Sequence, residues 1–290
     1  MSYQLLRQEP PDTGLARVFG EMLSDTLEHL QQAGQQRARS VHETRKNFKR
    51  MRALLRLIRH DMPIAYQQGN PRIREMSALL SPYRDADAML ETLEHLHERW
   101  PTEFDQAAFE GAQSCLQAQR DKLLAQPPGY AQVNQQVIAQ LQELAHLSTG
   151  WRFEHLHESR LAESLKNRFK RARKAARQAA RGKHVEDIHQ LRKRVKDLLY
   201  LGQILRDCSF GLHSQHLLVL SALASKLGIH HDLAVFENML GIEDIFPQRD
   251  KAAKLLTLAL AARISLENQA LNDANALLLQ GARDFLRHSQ

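Results

Sequence analysis

The chain has 290 residues, of which 43% are hydrophobic, and its 40 lysines and arginines outnumber its 33 aspartates and glutamates, giving a formal net charge of +7. Its only cysteines, Cys115 and Cys208, exclude a disulfide framework and a cysteine-bound metal and favour a reducing compartment. No run approaches the ~18 apolar residues of a membrane span, and the N-terminus lacks the apolar region of a signal peptide, so we expect a soluble, cytoplasmic protein.

Helical periodicity dominates the chain, and no stretch shows the sustained alternation of a strand. In the first half the pattern predicts helices near residues 13–38, 40–60, 71–99 and 103–125, the third being reset at Ser81-Pro82. A break at Gln126-Pro-Pro-Gly129 then opens a linker region, residues 126–150, that contains a polar helix. In the second half, helices are predicted near residues 153–182, 187–208, 212–228, 229–241 and 248–288.

These elements predict an all-α protein in which residues 1–290 form a single domain of two helical halves. The first half spans residues 13–125 and the second spans residues 151–288. Because each half has enough helices for an antiparallel four-helix bundle, we expect two such bundles.

A helix-length segment occurs twice, at residues 42–59 and, 147 residues later, at residues 189–206. The two copies align without a gap, and each opens on a histidine. The basic residues common to both are His42, Arg45, Lys46, Lys49 and Arg59 in the first copy and His189, Arg192, Lys193, Lys196 and Arg206 in the second. Such a repeat predicts a duplicated half-domain, so we expect these side chains to converge on one symmetric site.

Basic residues of the first copy recur at alternating spacings of three and four, which gathers them in a stripe about 100° wide on one helix face. They are His42, Arg45, Lys49, Arg52, Arg56 and Arg59, while Phe48, Met51, Leu55 and Ile58 fall on the opposite face. Aligned cations repel one another by roughly 0.2–0.5 kcal/mol per pair. We therefore expect an external anion to relieve the repulsion; a solvated outer face is the alternative, and the duplication disfavours it.

The start of each copy has the spacing of a capping box, with Ser40 three residues before Glu43 and Asp187 three before Gln190. This spacing predicts that both histidines are the second residue of a helix. Free backbone N–H groups and the helix dipole favour phosphate there. The alternative is that each histidine only bonds a neighbouring backbone group.

The predicted helix before the second histidine carries a further set of basic residues within an arc of about 100°. They are Lys166, Lys170, Arg173, Lys174, Arg177 and Arg181. This positive charge either extends the anion-binding surface or forms an exposed basic helix. The two interpretations are equally supported, because the first half has no equally basic counterpart.

A second repeated motif lies 42 residues after each histidine, where Arg84-Asp85-Ala-Asp87 aligns with His231-Asp232-Leu-Ala234. Carboxylate and guanidinium geometries match, so we expect the aspartates to orient arginines by bidentate pairing. Metal binding or acid–base chemistry is the less favoured alternative, because only one half has both aspartates. Arg84 and His231 are expected near the rim of the shared site.

The residues of these motifs resemble the CHAD domain, the conserved histidine α-helical domain. The resemblance rests on a His-x-x-Arg-Lys-x-x-Lys-Arg-x-Arg helix, the Arg-Asp-x-Asp segment, and a second-half His-x-Leu-Arg-Lys-x-x-Lys with a tyrosine nearby, and it runs from about residue 13 to residue 288. It implies two pseudosymmetric four-helix bundles around a basic central cavity that binds inorganic polyphosphate, often at polyphosphate granules. It implies neither a catalytic activity nor a cofactor.

By position, the resemblance implies binding roles for His42, Arg45, Lys46, Lys49, Arg52, Arg56, His189, Arg192, Lys193 and Lys196. We add Arg84, His231 and the basic residues Lys166, Lys170, Arg173 and Arg177 as candidate polyphosphate ligands. The chain departs from the family pattern at Leu199 and Gln203, where an arginine and an acidic residue are usual, so the second-half surface is expected to be weaker.

Two other functions stay open from the sequence. Cation rows on the outer surface would suit a nucleic-acid-binding protein, although the rows contain almost no aromatic residue besides Tyr200 on which single-stranded bases could stack. Binding to duplex phosphates alone needs no stacking. The less favoured option is an enzyme that uses Asp85 and Asp87 with a metal to process phosphoanhydrides. No metal site is predicted elsewhere, since His95 and His97 would point about 160° apart on a helix.

Overall fold

The computed structural model describes residues 3–102, 106–153, 156–182, 184–241 and 249–280. These residues form helices and no strand, which confirms the all-α prediction. The helices are α1 (Pro11–Gln31), α2 (Ala33–Leu57), α3 (Pro63–Leu79), α4 (Ser81–Arg99), α5 (Gln106–Ala125), α6 (Tyr130–Ser148), α7 (Glu158–Gly182), α8 (Val185–Ile204), α9 (Ser214–Leu240) and α10 (Arg249–Ala274), followed by a π-helical segment (Asn275–Gln280). None of them combines the length and apolar character that a bilayer crossing requires.

In the first half, α1, α2, α3 and α6 pack in a closed ring around a common apolar core. The face of α2 that was predicted to be apolar lies inside this ring, with Phe48, Met51 and Leu55 fully buried. Burial of each such side chain contributes roughly 1.5–3 kcal/mol, so this face fixes how α2 is rotated about its axis. The opposite, basic face of α2 must then turn away from the core.

The segment expected to be a linker contributes one wall of this bundle. On α6, Val133, Val137, Leu141 and Leu144 are buried in the same core as α1, α2 and α3. They form a single narrow stripe at spacings of three and four residues, which is all a helix needs to pack against two neighbours. Because polar residues cover the rest of α6, its sequence looks like that of a solvated connector.

In the second half, α7, α8, α9 and α10 pack in sequence, and the π-helical segment lies against α7 and α9. The sequence predicts separate helices that meet between residues 228 and 229, but α9 runs through this point. The equivalent point of the first half does separate α3 from α4, just before Pro82. Ile229 stands at the position of that proline and keeps its backbone N–H, so the helix continues. Of the last predicted helix, residues 281–288 lie outside the described residues.

The hairpin of α4 and α5 leaves the first bundle and packs on α9 and α10 instead. Together these four helices bury a second apolar cluster that includes Leu93, Leu116, Phe236 and Ala259. The two halves of the chain therefore share this core. As a result α2, α4, α9 and α8 follow one another around a ring, and the space inside that ring is where the candidate site lies.

We predict that Leu141→Ala lowers the free energy of unfolding by about 2–5 kcal/mol, because Leu141 is fully buried in the first bundle. The neighbouring exposed residue gives the matched control, Gln142→Ala, which should change stability by less than about 0.5 kcal/mol. Urea unfolding followed by circular dichroism measures both. Equal, small effects would mean that α6 is a connector and not part of the core.

Candidate functional site

The histidine-bearing helices begin earlier than their capping-box spacings predict. α2 starts at Ala33, has non-helical backbone angles at Gln36 (φ −138°, ψ 49°), and then runs through Ser40 and His42 without a break. α8 starts at Val185, so Asp187 lies within its first turn, where it accepts a hydrogen bond from Gln178 Nε2 at 2.9 Å. The capping-box prediction is therefore wrong in both copies. Neither histidine offers a helix N-terminus to an anion, and their role depends on side chains alone.

A cavity of about 1120 Å³ lies between α2, α4, α8 and α9, and we call it the basic cavity. Residues from both copies of the repeated helix line it, as do both members of the second motif. The candidates that the structure brings together here are His42, Arg45, Lys46, Lys49, Arg84, His189, Arg192, Lys196 and His231. The repeat in the sequence thus corresponds to one shared space in the fold.

Several cations of the basic cavity are half-buried and form no ion pair among the described residues. Within the described part of the chain, no carboxylate lies within 4 Å of Lys49, Arg192 or Lys196. The Nε atoms of Arg45 and Arg192 and Nδ1 of His189 are buried and have no hydrogen-bond partner. Buried polar groups are normally satisfied, and each unsatisfied one costs about 1–3 kcal/mol. Unsatisfied nitrogen atoms thus lie beside the cations of this cavity, an arrangement that suits an anionic ligand.

The lysines respond to this environment through their pKa values. Burial, followed by repulsion from Lys196 and Arg192, lowers the pKa of Lys49 to about 7. Burial, followed by repulsion from Arg192, lowers the pKa of Lys196 to about 8. Asp232 is the carboxylate that faces these cations; burial raises its pKa, and Arg192 and Arg84 partly offset that rise. In the free protein, near neutral pH, the cavity therefore holds its lysines close to the point of losing a proton.

The histidines of the site have lowered pKa values, which favours their neutral forms. Burial lowers the pKa of His42 and of His189, with nearby basic side chains adding to the effect. Burial lowers the pKa of His231 to about 3, helped by Arg192 and by His189, whose ring centroid lies 4.7 Å from that of His231. Neutral imidazoles can still each donate one hydrogen bond to an anion. A bound polyanion would favour their protonated forms.

The aspartates of the second motif have separate roles. Asp87 is buried and accepts two hydrogen bonds from Arg37, at 2.9 and 2.6 Å, which ties α4 to α2. Bidentate pairing is thus found where it was predicted, with an arginine outside the repeated stripe. Asp85 is exposed at the cavity wall, and Arg84 pairs with Glu91 at 2.7 Å. Among the described residues, no group of three histidine, cysteine or acidic side chains is placed to hold a metal ion.

Two candidates at the end of the α2 stripe do not reach the cavity. Arg52 donates through Nε to Asn70 of α3 at 3.0 Å, and Arg56 pairs with Asp197 of α8. A row spaced by three and four residues drifts by about 20° per seven residues around a straight helix. Over two to three turns the stripe therefore turns from the cavity toward the neighbouring helices, where these arginines take part in packing.

The remaining candidates face away from the basic cavity. Lys193 is exposed on α8, one residue along from a cavity-lining arginine and so about 100° around the helix. On α7, Leu165, Phe169 and Ala172 are buried in the core, which directs the basic face outward. The α7 candidates that this leaves outside the cavity lining are Lys166, Lys170, Arg173 and Arg177, and all but Arg173 are exposed. The exposed-helix interpretation fits this arrangement.

Sequence reasoning did not single out Arg50, which also lines the basic cavity. Its guanidinium lies 5.2 Å from the ring centre of Tyr3 and 5.8 Å from that of Tyr200. Arg50 is absent from the predicted set because it follows Lys49 directly and so falls outside the regular spacing of the stripe. The signal available in the sequence was a cation one residue beyond the regular spacing of the first copy, together with a tyrosine, Tyr200, in the second copy.

Comparison with known proteins gives a consistent family assignment. The sequence model for the CHAD domain matches residues 17–241. The crystal structure of the CHAD domain from the plant Ricinus communis has a similar fold, with a TM-score of 0.56 and 21% sequence identity over 94% of this chain and 91% of that one. No curated protein matches the sequence. At this level of identity the structural likeness establishes the fold alone.

We predict that Lys49→Met raises the free energy of unfolding by about 1–4 kcal/mol at pH 6, because it removes a buried charge while keeping the side-chain volume. In the parent protein, Lys49 releases its proton above about pH 7, whereas the unfolded chain holds that proton to about pH 10.5. The parent therefore gains stability as pH rises from 7 to 10. The advantage of the variant should shrink over this range.

Chemical unfolding at pH 6, 7.5 and 9 measures this difference. Lys174→Met on the exposed face of α7 is the matched control and should show no pH-dependent advantage. A constant difference between Lys49→Met and the parent across this pH range would contradict the titration of Lys49 near neutrality.

Proposed function

This chain belongs to the CHAD domain family, and on that basis we propose that it binds inorganic polyphosphate in its basic cavity without cleaving it. The observation that carries the proposal is the set of half-buried cations, without ion pairs in the described part of the chain, that both copies of the repeated helix contribute to one space. A chain of phosphates supplies one negative charge per unit and many acceptor oxygens, which is what Lys49, Arg192 and Lys196 lack. We further propose that the protein acts in the cytoplasm, at polyphosphate granules.

The shape of the cavity favours a slim polyanion over nucleic acid. A space of about 1120 Å³ between packed helices can hold a short stretch of phosphate chain, whereas a duplex is too wide to enter it. A single strand would also have to place its bases, and the repeated rows offer little for stacking besides Tyr200. Enclosed positive charge therefore favours a slim phosphate chain over a nucleic-acid strand.

Nucleic-acid binding is the second candidate function, and the exposed cations of α7 are the observation in its favour. Lys166, Lys170 and Arg177 face outward along one helix, where they could contact phosphates of a duplex without any base readout. Binding of this kind would leave the basic cavity empty. Substitutions in the cavity and on α7 therefore separate the two functions.

We predict that replacing Lys49, Arg192 and Lys196 together with glutamine abolishes most of the thermal stabilisation that polyphosphate gives the parent. Only a ligand that binds the native state raises the melting temperature. At 100 times its dissociation constant, such a ligand adds about 2.7 kcal/mol to the free energy of unfolding. Without ligand, the triple variant should melt at or above the temperature of the parent, because mutual repulsion is relieved. Differential scanning fluorimetry with long-chain polyphosphate measures both quantities.

The matched control replaces Lys166, Lys170 and Lys174 with glutamine, which removes the same charge from the exposed face of α7. This control should keep the shift that polyphosphate produces in the parent. If the α7 variant loses the shift and the cavity variant keeps it, binding takes place on the outer surface and the cavity proposal is wrong.

We also predict that the affinity for polyphosphate falls with salt, with a slope of about −4 in log affinity against log salt concentration for six phosphate contacts. Duplex DNA at the same phosphate concentration should compete weakly, because it cannot enter the cavity. Fluorescence anisotropy with a labelled polyphosphate measures both. Equal competition by duplex DNA would show that general basicity, and not the cavity, determines binding.

A further inference from the structure

The two copies of the repeated helix differ at the positions where α2 packs on α8. By the 147-residue offset, Arg50 is equivalent to Asp197, and Arg56 is equivalent to Gln203. Arg56 and Asp197 pair on one side of this contact, and their equivalents Gln203 and Arg50 both line the basic cavity. In a fully symmetric protein the two sides of this contact would be identical. The residue differences between the two copies make them chemically different.

The side that contains Asp197 is closed. Arg56 donates through Nε to Asp197 Oδ1 at 3.1 Å, and Arg168 of α7 contributes a second guanidinium 3.6 Å from Oδ2. Arg168 also donates to the carbonyl oxygen of Arg56 at 2.7 Å. The side chains of Asp197 and Arg168 are each only 7% exposed. The side chains of Arg56 and Arg168, held around Asp197, therefore fill this side of the contact between α2 and α8.

The side that contains Arg50 is open. A second cavity of about 540 Å³ lies there, and four residues, Arg50, Tyr200, Gln203 and Ser221, line both this cavity and the basic cavity. Within the described residues no carboxylate lies within 4 Å of Arg50. The position that corresponds to Arg56 is Gln203, which is neutral and cannot form an ion pair with Arg50. The basic cavity therefore continues past Arg50 into a second compartment on this side.

The second cavity has a different chemistry from the first. Besides the shared Arg50 its lining includes one other cation, Arg206, whereas neutral and apolar groups make up the rest. The amide of Gln203 and the hydroxyl of Ser214 supply both donors and acceptors, and Ile204 and Leu217 supply apolar surface. Inorganic phosphate units would find few partners here. A neutral, flat group with polar edges and hydroxyls, such as a nucleoside, matches this lining, and the volume lies in the usual range for such ligands.

Arg50 is fixed at the boundary between the two cavities. It donates through Nη1 to Asn47 Oδ1 at 2.8 Å and lies against the rings of Tyr3 and Tyr200. Arginine stacked on aromatic rings keeps its edge free for planar, bidentate binding of phosphate. A phosphate next to a nucleoside would reach this guanidinium from the basic cavity.

We propose that the two cavities together bind a nucleoside 5′-polyphosphate, with the phosphate chain in the basic cavity, the phosphate nearest the nucleoside against Arg50, and the nucleoside in the second cavity. This ligand class rests on the proposed function, since the same cations hold the phosphate chain. Unlike the inorganic polymer, a nucleoside polyphosphate has two different ends. The second cavity beside Arg50 has room for the nucleoside end, whereas the side that contains Asp197 is filled by protein.

Isothermal titration calorimetry with adenosine 5′-tetraphosphate and inorganic tetraphosphate tests the proposal on the full chain. The nucleotide carries one ionisable oxygen fewer, so charge alone favours the inorganic ligand. We expect the parent to bind the nucleotide about tenfold more tightly. Ser214→Trp, which places an indole in the second cavity, should remove that preference and leave the affinity for inorganic tetraphosphate within about twofold. Gln215→Trp, next to it and outside both linings, is the control and should keep the preference.

The outcomes separate this inference from the function beneath it. Equal binding of both ligands by the parent overturns the nucleoside site and leaves polyphosphate binding intact. A preference that survives in Ser214→Trp also overturns it, because the nucleoside would then bind elsewhere. Failure of the parent to bind even inorganic tetraphosphate or long-chain polyphosphate would instead overturn the proposed function.

Discussion

Repulsion among cations buried in one cavity is the constraint on which the rest of this structure depends. Lys49, Arg192 and Lys196 would separate if only electrostatics acted on them. They are held together because the faces of α2 and α8 opposite the cavity, with residues such as Phe48 and Val195, are fully buried in apolar cores. Hydrophobic burial thus holds mutually repelling cations in a fixed arrangement. A polyanion can bind them without the entropy cost of first ordering these side chains.

The carboxylates near the cavity show how the fold keeps that charge available. Asp87 and Asp197 each bind an arginine that joins two helices, and both lie outside the cavity lining. Had either carboxylate faced Lys49 instead, an internal ion pair would have compensated the buried cation. These two aspartates therefore connect helices around the site, and Asp232 is left to face the cations of the cavity.

Much of the site could be predicted from the sequence, because the information was repeated. Two aligned helices with the same basic residues predicted a shared cavity, and the apolar spacing of Phe48 and Met51 fixed which face of α2 would point away from it. The helix starts were wrong because capping signals are local, and continued packing extends α2 back past Ser40. The fate of Arg56 depended on Asp197, a residue 141 positions away, and spacing within one helix carries no information about such a partner. Similarly, the apolar stripe of α6 does not reveal which helices it packs on, because its partners α1 and α3 are far away in the sequence.

The continuity of α9 has a consequence for how the molecule unfolds. Its first half contributes Leu220 and Leu223 to the larger apolar cluster, and its last turns contribute Phe236 and Leu240 to the cluster formed with α4, α5 and α10. The first half of the chain divides the same length of helix at Pro82, but α9 crosses between the two clusters as one hydrogen-bonded rod. If either cluster unfolds, part of α9 becomes exposed, and the packing of α9 in the remaining cluster is weakened. α9 therefore couples the two cores, together with α10, which also contributes to both clusters. Amide protons along the centre of α9 should exchange only with global opening.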